Sequence, residues 1–330
     1  MKGYWEHKVK KGIEYYHEKG IFAFLLKSIR SMLNIVLEDW GLYYFLCRIQ
    51  CQFRLLLDRW GLLKRKGAFE GIPEVIISLT SYPPRIKTVH KAIESLLAQT
   101  YKADRIILWL AKDEFPDLEA DLPEKLLHLQ ELGLEIRWCR NLYSYKKLIP
   151  AIEAFPDALL ITVDDDMLCS KYLIERLIAG YQEHPDCIQC HSASMLEYHG
   201  IDKIIRFFAA DGITFYPFPT YMHVVLGYAG CLYPPHCLHA DVAKMEVFLQ
   251  IKPSNDDLWF WSMGVLNGCR TNVVKGNRTR CAHIPGTQKI GLKYVLDDDT
   301  LFCQLRMILQ RYPPIQEILL IEQKEIDSRR

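Results

Sequence analysis

Ala158-Leu-Leu-Ile-Thr-Val163-Asp164-Asp165-Asp166 is the stretch whose reading decides the fold. Six successive apolar or β-branched residues read as a strand buried on both faces. Three carboxylates in a row cannot share that burial, so they lie just past its end. In an open α/β sheet the rim at the carboxyl ends of the strands is where ligands bind. Clustered Asp oxygens there suit a hard divalent cation and the phosphates it carries.

Working back from this strand, the stretches at 75–80, 105–110 and 134–138 read as three more strands. Helical patterns at about 89–98, 123–132 and 146–155 separate them. Strands alternating with helices at this spacing imply a mostly parallel sheet built from right-handed crossovers. Downstream, the pattern predicts a helix over 170–183, a strand at 187–191, an irregular aromatic region to 221 and a helix over 239–249. A strand at 270–274 and a final helix from about 300 follow. Gly227-Tyr-Ala-Gly230-Cys-Leu-Tyr-Pro234-Pro235, small and then abruptly stiff, reads as a loop lining a cavity.

The 330 residues hold 41 basic and 40 acidic side chains, a net charge of +1, so no global electrostatic footprint for nucleic acid is present. Eleven scattered cysteines in a chain that reads without a cleavable signal sequence imply reduced thiols and a cytoplasmic location. The Asn277-Arg-Thr279 sequon carries little weight in such a chain. Cys187-Ile-Gln-Cys190-His191 matches a haem-attachment pattern, and Cys231, His236, Cys237 and His239 a loose zinc set. Neither has the export signal or the regular spacing its chemistry needs.

Residues 1 to 70 have a different texture, a helical extension before the α/β domain of residues 71 to 330 with its helical tail. Its apolar clusters at 21–26 and 41–47 fall short of the roughly 20 apolar residues a spanning helix needs. With Arg48, Arg54, Arg59 and Lys64 to Lys66 nearby, they suit either a membrane interface at the inner face of the cytoplasmic membrane or packing on the domain or in an oligomer.

A second acidic element, Asp256-Asp257, precedes Leu-Trp-Phe-Trp261. Acids at a helix start are favoured by the macrodipole, and a carboxylate beside aromatic platforms also suits a general base that takes a proton from an attacking hydroxyl. Asp257 is preferred over Asp256 for that role. His283 is a candidate neutral imidazole for an Asp-bound metal. Lys146 and Lys147, at the start of the helix before the Asp strand, are candidate diphosphate contacts.

Four of these elements occur in a meaningful order. Ser78-Leu-Thr-Ser-Tyr-Pro-Pro-Arg85, the Asp triplet, Gly230-Cys-Leu-Tyr-Pro-Pro235 and Asn255-Asp-Asp-Leu-Trp-Phe260 together resemble a bacterial GT-A glycosyltransferase. The likeness is to the family 2 type of surface polysaccharide assembly and covers about residues 73 to 285. It implies a GT-A, Rossmann-like α/β domain and a nucleotide-diphospho-sugar donor, a UDP-sugar first, with Thr80, Tyr82 and Arg85 near the nucleotide. It also implies Mn²⁺ or Mg²⁺ held by Asp164 and Asp166, with His283 completing the set. Asp165 would stand in the donor site as a structural member, the cap of the helix that follows. Asp257 or Asp256 would deprotonate the hydroxyl of a glycan or lipid-linked acceptor, with inversion at the anomeric carbon. This chain has Asp-Asp where many members have Glu-Asp.

Two other readings compete. A haloacid-dehalogenase type phosphatase or phosphotransferase also places Asp-x-Asp after an apolar strand, but on the first strand and before Gly-Thr, whereas three strands precede here and Met167-Leu168 follow. A noncatalytic glycan-binding protein at the membrane face would need no base.

Overall fold

The computed structural model describes residues 42–62, 71–208, 216–251, 255–274, 281–287 and 298–329. The apolar cluster at 21–26, Lys64 to Lys66 and the sequon lie outside them. The chain divides into two compact units, Met1–Ile49 and Gln50–Arg330. In the first, the described residues begin helix α1 (Leu42–Arg59). In the second, Gln52 of this helix donates to Glu94, and Arg54 donates to the carbonyls of Ala98 and Gln99. No helix among the described residues is long and apolar enough to cross a membrane.

The expected alternation opens the second unit. Strand β1 (Val75–Thr80) leads to α2 (Val89–Leu97), β2 (Arg105–Ala111), the short α3 (Glu124–Leu127) and β3 (Leu134–Cys139). Then come α4 (Ile149–Ala154), β4 (Leu159–Thr162), the two-residue β5 (Met167–Leu168), α5 (Leu173–Glu183) and β6 (Ile188–Cys190). The helix expected over 123–132 changes from α3 to a 3₁₀ turn at His128, and Gly133, at φ 106°, ends it in the left-handed region that glycine tolerates.

Three expectations fail in the middle of the chain; one is the helix over 239–249, where Lys244 in extended backbone divides a 3₁₀ turn at Ala240–Ala243 from a four-residue helix. The region expected to be irregular contains β7 (Ala193–Tyr198) and β8 (Ile204–Phe208), which with β9 (His223–Val225) just past it form an antiparallel sheet of order β8-β7-β9. Its central strand is completed by a partner about thirty residues away, which no local pattern announces. The stretch expected to be a cavity loop contains β10 (Cys231–Tyr233), paired antiparallel to both β4 and β6. A 3₁₀ turn at Gly227–Ala229 precedes it. Three apolar residues between glycine and proline pairs are too short to read as a strand, yet all three are buried in the sheet.

The chain closes with α6 (Met245–Phe248), α7 (Asp256–Leu266), β11 (Thr271–Val273), β12 (Ala282–His283), α8 (Asp298–Arg311) and α9 (Pro313–Ser328). Pro313, at the first helical position, separates the last two. The central sheet runs β11-β6-β10-β4-β1-β2-β3, with β10 its single antiparallel member. The fold is thus mixed α/β with a mostly parallel central sheet.

Alternate residues of the strands serve two cores. Val75, Ile77, Leu79, Leu159 and Ile161 pack on one face with α2 and α5, while Ile76, Ile107 and Leu160 pack on the other with α4, α7, α8 and α9. Burial on both faces is why these strands read as continuous apolar runs. Helix α7 is apolar nearly all round, and its Phe260 meets the rings of Tyr145 and Tyr233 edge-on, at centroid distances of 5.9 and 6.1 Å. Phe260→Ala empties fully buried space between α7 and the sheet. The expected loss is about 3–5 kcal/mol of folding free energy, read from denaturant unfolding.

Candidate active site

Strand β4 delivers the Asp triplet to the rim, and each carboxylate finds a different partner. Asp164 lies 3.1 Å from the Nζ of Lys147. Asp165 accepts from Ser81 Oγ at 2.6 Å and from Arg85 Nη1 at 2.7 Å. Asp166 pairs with Arg85 Nη2 at 3.1 Å. The turn after β1 makes this possible: the amides of Arg85 and Ile86 both donate to the Tyr82 carbonyl, which folds Arg85 back over the strand end. Its guanidinium also sits 5.7 Å from the centroid of the Tyr82 ring. Thr80 anchors the same turn by donating to the Trp109 carbonyl at 2.8 Å.

Asp165 is therefore not the helix cap expected for it. Tyr172 stands at the N-cap of α5 and makes no side-chain cap bond. The nearly complete burial of Asp165 makes the inward pair with Ser81 and Arg85 the stronger demand. Burial pushes its carboxyl up to about 6, against the opposing pull of Arg85 and Ser81. Burial and the nearby Asp164 also raise Asp166, with Arg85 and His283 working the other way.

Lys147 joins this rim to the second acidic element. Its Nζ lies 2.6 Å from Asp256 Oδ2 and 3.1 Å from Asp257 Oδ1, as well as 3.1 Å from Asp164. The backbone sets the position. A 3₁₀ turn at Tyr143–Lys147 precedes α4, and Ser78 of β1, which accepts from Trp109 Nε1, donates to the Lys147 carbonyl at 2.6 Å. Burial works to discharge the ammonium, but the three carboxylates outweigh it and hold Lys147 well above the usual lysine range. Lys146, one residue earlier, turns to Glu114 past the end of β2 and does not join the Asp cluster.

The two aspartates of α7 have different surroundings. Asn255 caps the helix by accepting from the Leu258 amide at 3.1 Å, leaving both acids in the first turn. Asp256 has 9% of its side chain exposed and Asp257 25%. Asp257 Oδ2 accepts from the Gly227 amide at 2.7 Å. Burial raises Asp257, as do Asp256 and Asp164, while Lys147 and the Gly227 amide oppose the shift. A Cβ at Gly227 would overlap Asp257 Oδ1 and Lys147 Nζ, so the close approach of backbone to carboxylate requires glycine there.

His283 reaches the site on a two-stranded ribbon. In the ladder of β5 and β12 it stands opposite Met167, and the Ile284 amide donates to the Asp166 carbonyl at 2.8 Å. An open groove of about 840 Å³ passes the ends of β2 and β3, lined by Trp109, Lys112, Trp138, Arg140, Asn141 and Glu153 among others. Ser78, Ser81 and Gly227 were missing from the sequence-derived site. Ser78 and Ser81 lie inside the quoted motif 78–85, and Gly227 opens the glycine-rich stretch. Their roles come from contacts 69, 84 and 30 residues away.

At this rim the five aspartates 164, 165, 166, 256 and 257 meet two cations, Arg85 and Lys147. Among the described residues, no group of three or more His, Cys, Asp or Glu side chains is arranged to hold a metal ion by itself. The excess of carboxylate fits a magnesium-like cation that takes one or two protein carboxylates and completes its shell with substrate phosphates.

No family model and no characterised relative matches the sequence. Among solved structures, the chain is similar to residues 1–349 of S. aureus TarS, at 13% identity over 76% of this chain and 69% of that one, TM-score 0.42. It is also similar to the mannosyltransferase PcManGT of Pyrobaculum calidifontis, solved with GDP-Man and Mn²⁺, at 10% identity over 83% and 76% of the two chains, TM-score 0.43. Likeness at this level assigns no residue a role.

Two outcomes follow from the charge layout. Lys147→Met leaves three carboxylates facing one another without their cation, and should cost about 3–5 kcal/mol of stability at neutral pH in denaturant unfolding. For Asp165, the folded value of about 6 lies above the ordinary 3.8, so the folded state binds its proton more tightly. The stability tied to this group is full below about pH 3.8 and is lost as the pH rises through about 6. Asp165→Asn should flatten the slope of stability against pH across that window, whatever its effect on absolute stability.

Proposed function

We propose that the chain is a metal-dependent glycosyltransferase that moves a sugar from a nucleotide-diphospho-sugar to a hydroxyl of a glycan or lipid-linked acceptor. The observation that carries this reading is the Lys147 ammonium. It touches Asp164 at the strand end and Asp256 and Asp257 at the start of α7, so two acidic elements far apart in sequence form one site.

The charge balance supports a role for a cation. A diphosphate approaching five carboxylates offset by two cations meets net negative charge, and a divalent ion on Asp164 and Asp166, with His283 at hand, would reduce that charge and offer the phosphates a cation to bind. When bound, the ion supplies electrostatic stabilisation of the negative charge that develops on the departing nucleoside diphosphate. Arg85 keeps Asp165 and Asp166 in place on the donor side. Thr80 and Tyr82 line the turn where the nucleotide is proposed to lie, next to the groove beside Trp109.

On the acceptor side, Asp257 is the better base. It is the more exposed of the pair, and its raised proton affinity favours accepting the hydroxyl proton. Asp256, deeper and 2.6 Å from Lys147, serves as counter-ion. One base opposite one leaving group supports a single displacement with inversion at the anomeric carbon. Exposed Phe53, Leu56 and Trp60 on α1 and the turn after it, with Arg59 beside them, support a peripheral contact with membrane carrying a lipid-linked acceptor.

Nucleoside diphosphate release from a panel of nucleotide sugars, with and without Mn²⁺, tests the reading. Asp166→Ala should abolish metal-dependent donor binding. Asp257→Asn should bind donor normally and lose about 10²- to 10⁴-fold in transfer rate, with the wild-type product inverted by NMR. Full transfer by either variant, or wild-type protein that neither binds nor turns over any donor, overturns it.

A further inference from the structure

All eleven cysteines are thiols, and two of them face each other behind the ribbon that carries His283. In the β5–β12 ladder Leu168 is opposite Ala282 and Met167 opposite His283, so one step further Cys169 stands opposite Cys281. The bond from the Ile284 amide to the Asp166 carbonyl marks 166 and 284 as a hydrogen-bonded pair. Antiparallel pairs alternate, so 167 with 283 and 169 with 281 are non-hydrogen-bonded pairs. Such partners have Cα atoms about 4.5 Å apart, inside the range of about 4.4 to 6.8 Å that a disulfide spans.

Both sulfurs are held in position. The Cys169 amide donates to Ser95 Oγ of α2 at 2.9 Å, fixing that side of the pair to the core. The two side chains are in contact with each other. Two thiols in contact across a non-hydrogen-bonded pair are placed for thiol–disulfide exchange with one another.

We infer that Cys169 and Cys281 are a reversible cross-linking site, closed by a low-molecular-weight disulfide such as oxidised glutathione, that ties the His283 ribbon to the end of the Asp triplet segment. One of the two thiols, as its thiolate, attacks one sulfur of the small disulfide, whose S–S bond breaks and releases one thiolate. Its neighbour then gives up its proton and attacks the protein sulfur of the mixed disulfide, releasing the second small thiol. Two protein thiols are oxidised to one disulfide, and one small disulfide is reduced to two thiols. In the thiol form the two strands are joined by their short ladder, with no covalent link. In the disulfide form His283 is fixed beside Asp166.

The test uses the full chain incubated with oxidised glutathione, alkylated, digested and mapped by mass spectrometry. The expected result is a linked Cys169–Cys281 peptide pair, reversed by dithiothreitol, with the thiol count falling by two from eleven. Cys303, exposed on α8, is the internal comparison. Cys303→Ser should leave the link unchanged and Cys281→Ser should abolish it. Exchange of the Ile284 amide should slow in the oxidised protein. A wild-type map showing only mixed disulfides with glutathione, or a dominant link between Cys237 and Cys269 or between Cys190 and Cys231, thiol pairs that also lie together, overturns the inference.

Discussion

The candidate site depends on one buried ammonium. Lys147 sits among Asp164, Asp256 and Asp257, and without a cation at that point the carboxylates at the end of β4 and the start of α7 would repel one another. Burial of a charge is expensive unless it is paired, and here the cation is outnumbered three to one. Much of the surrounding structure serves to set its place: Ser78 grips the Lys147 carbonyl, and Gly227 admits the backbone against Asp257. The surplus negative charge that remains is the property a diphosphate-bearing cation would answer.

Arg85 plays the matching part on the other side of the triplet. It satisfies Asp165 and Asp166 together, so the three consecutive aspartates are divided between two basic residues from different turns. That division gives each carboxylate a distinct environment. Asp164 is left the most open of the three, at 32% side-chain exposure. Asp165 is closed in by Ser81 and Arg85, and Asp166 is placed where the His283 ribbon crosses. The proposed transfer uses this separation: the open and crossed-over members on the donor, the closed member as a fastening between β1 and β4.

How much of this was legible in advance varies by element. The strands β1, β2 and β4 were readable because each is buried on both faces, and such burial demands an unbroken apolar run, whereas the edge strand β3 keeps Glu135 and Arg137 half-exposed. The acids at the start of α7 were readable because negative charge ahead of an apolar run marks a helix start, although the residue that caps it, Asn255, came only from the structure. Strand β10 was not. Its three residues are an ordinary apolar triplet until β4 and β6 arrive on either side. The sheet of β7, β8 and β9 was missed for the same reason, since a short strand is specified by its partners more than by its own pattern.

The sequence by itself determined the class of fold, the rim to which charge is delivered and the identity of the acidic residues, because periodicity, burial and capping act between near neighbours. Tertiary structure alone decided which of two adjacent lysines enters the site, which aspartate is fastened and which is open, and that a glycine backbone supports Asp257. Lys147 and Asp257 are 110 residues apart, and Ser81 and Asp165 are 84. Contacts over such distances depend on the register of the sheet and the close approach of packed elements, which no local run of residues encodes.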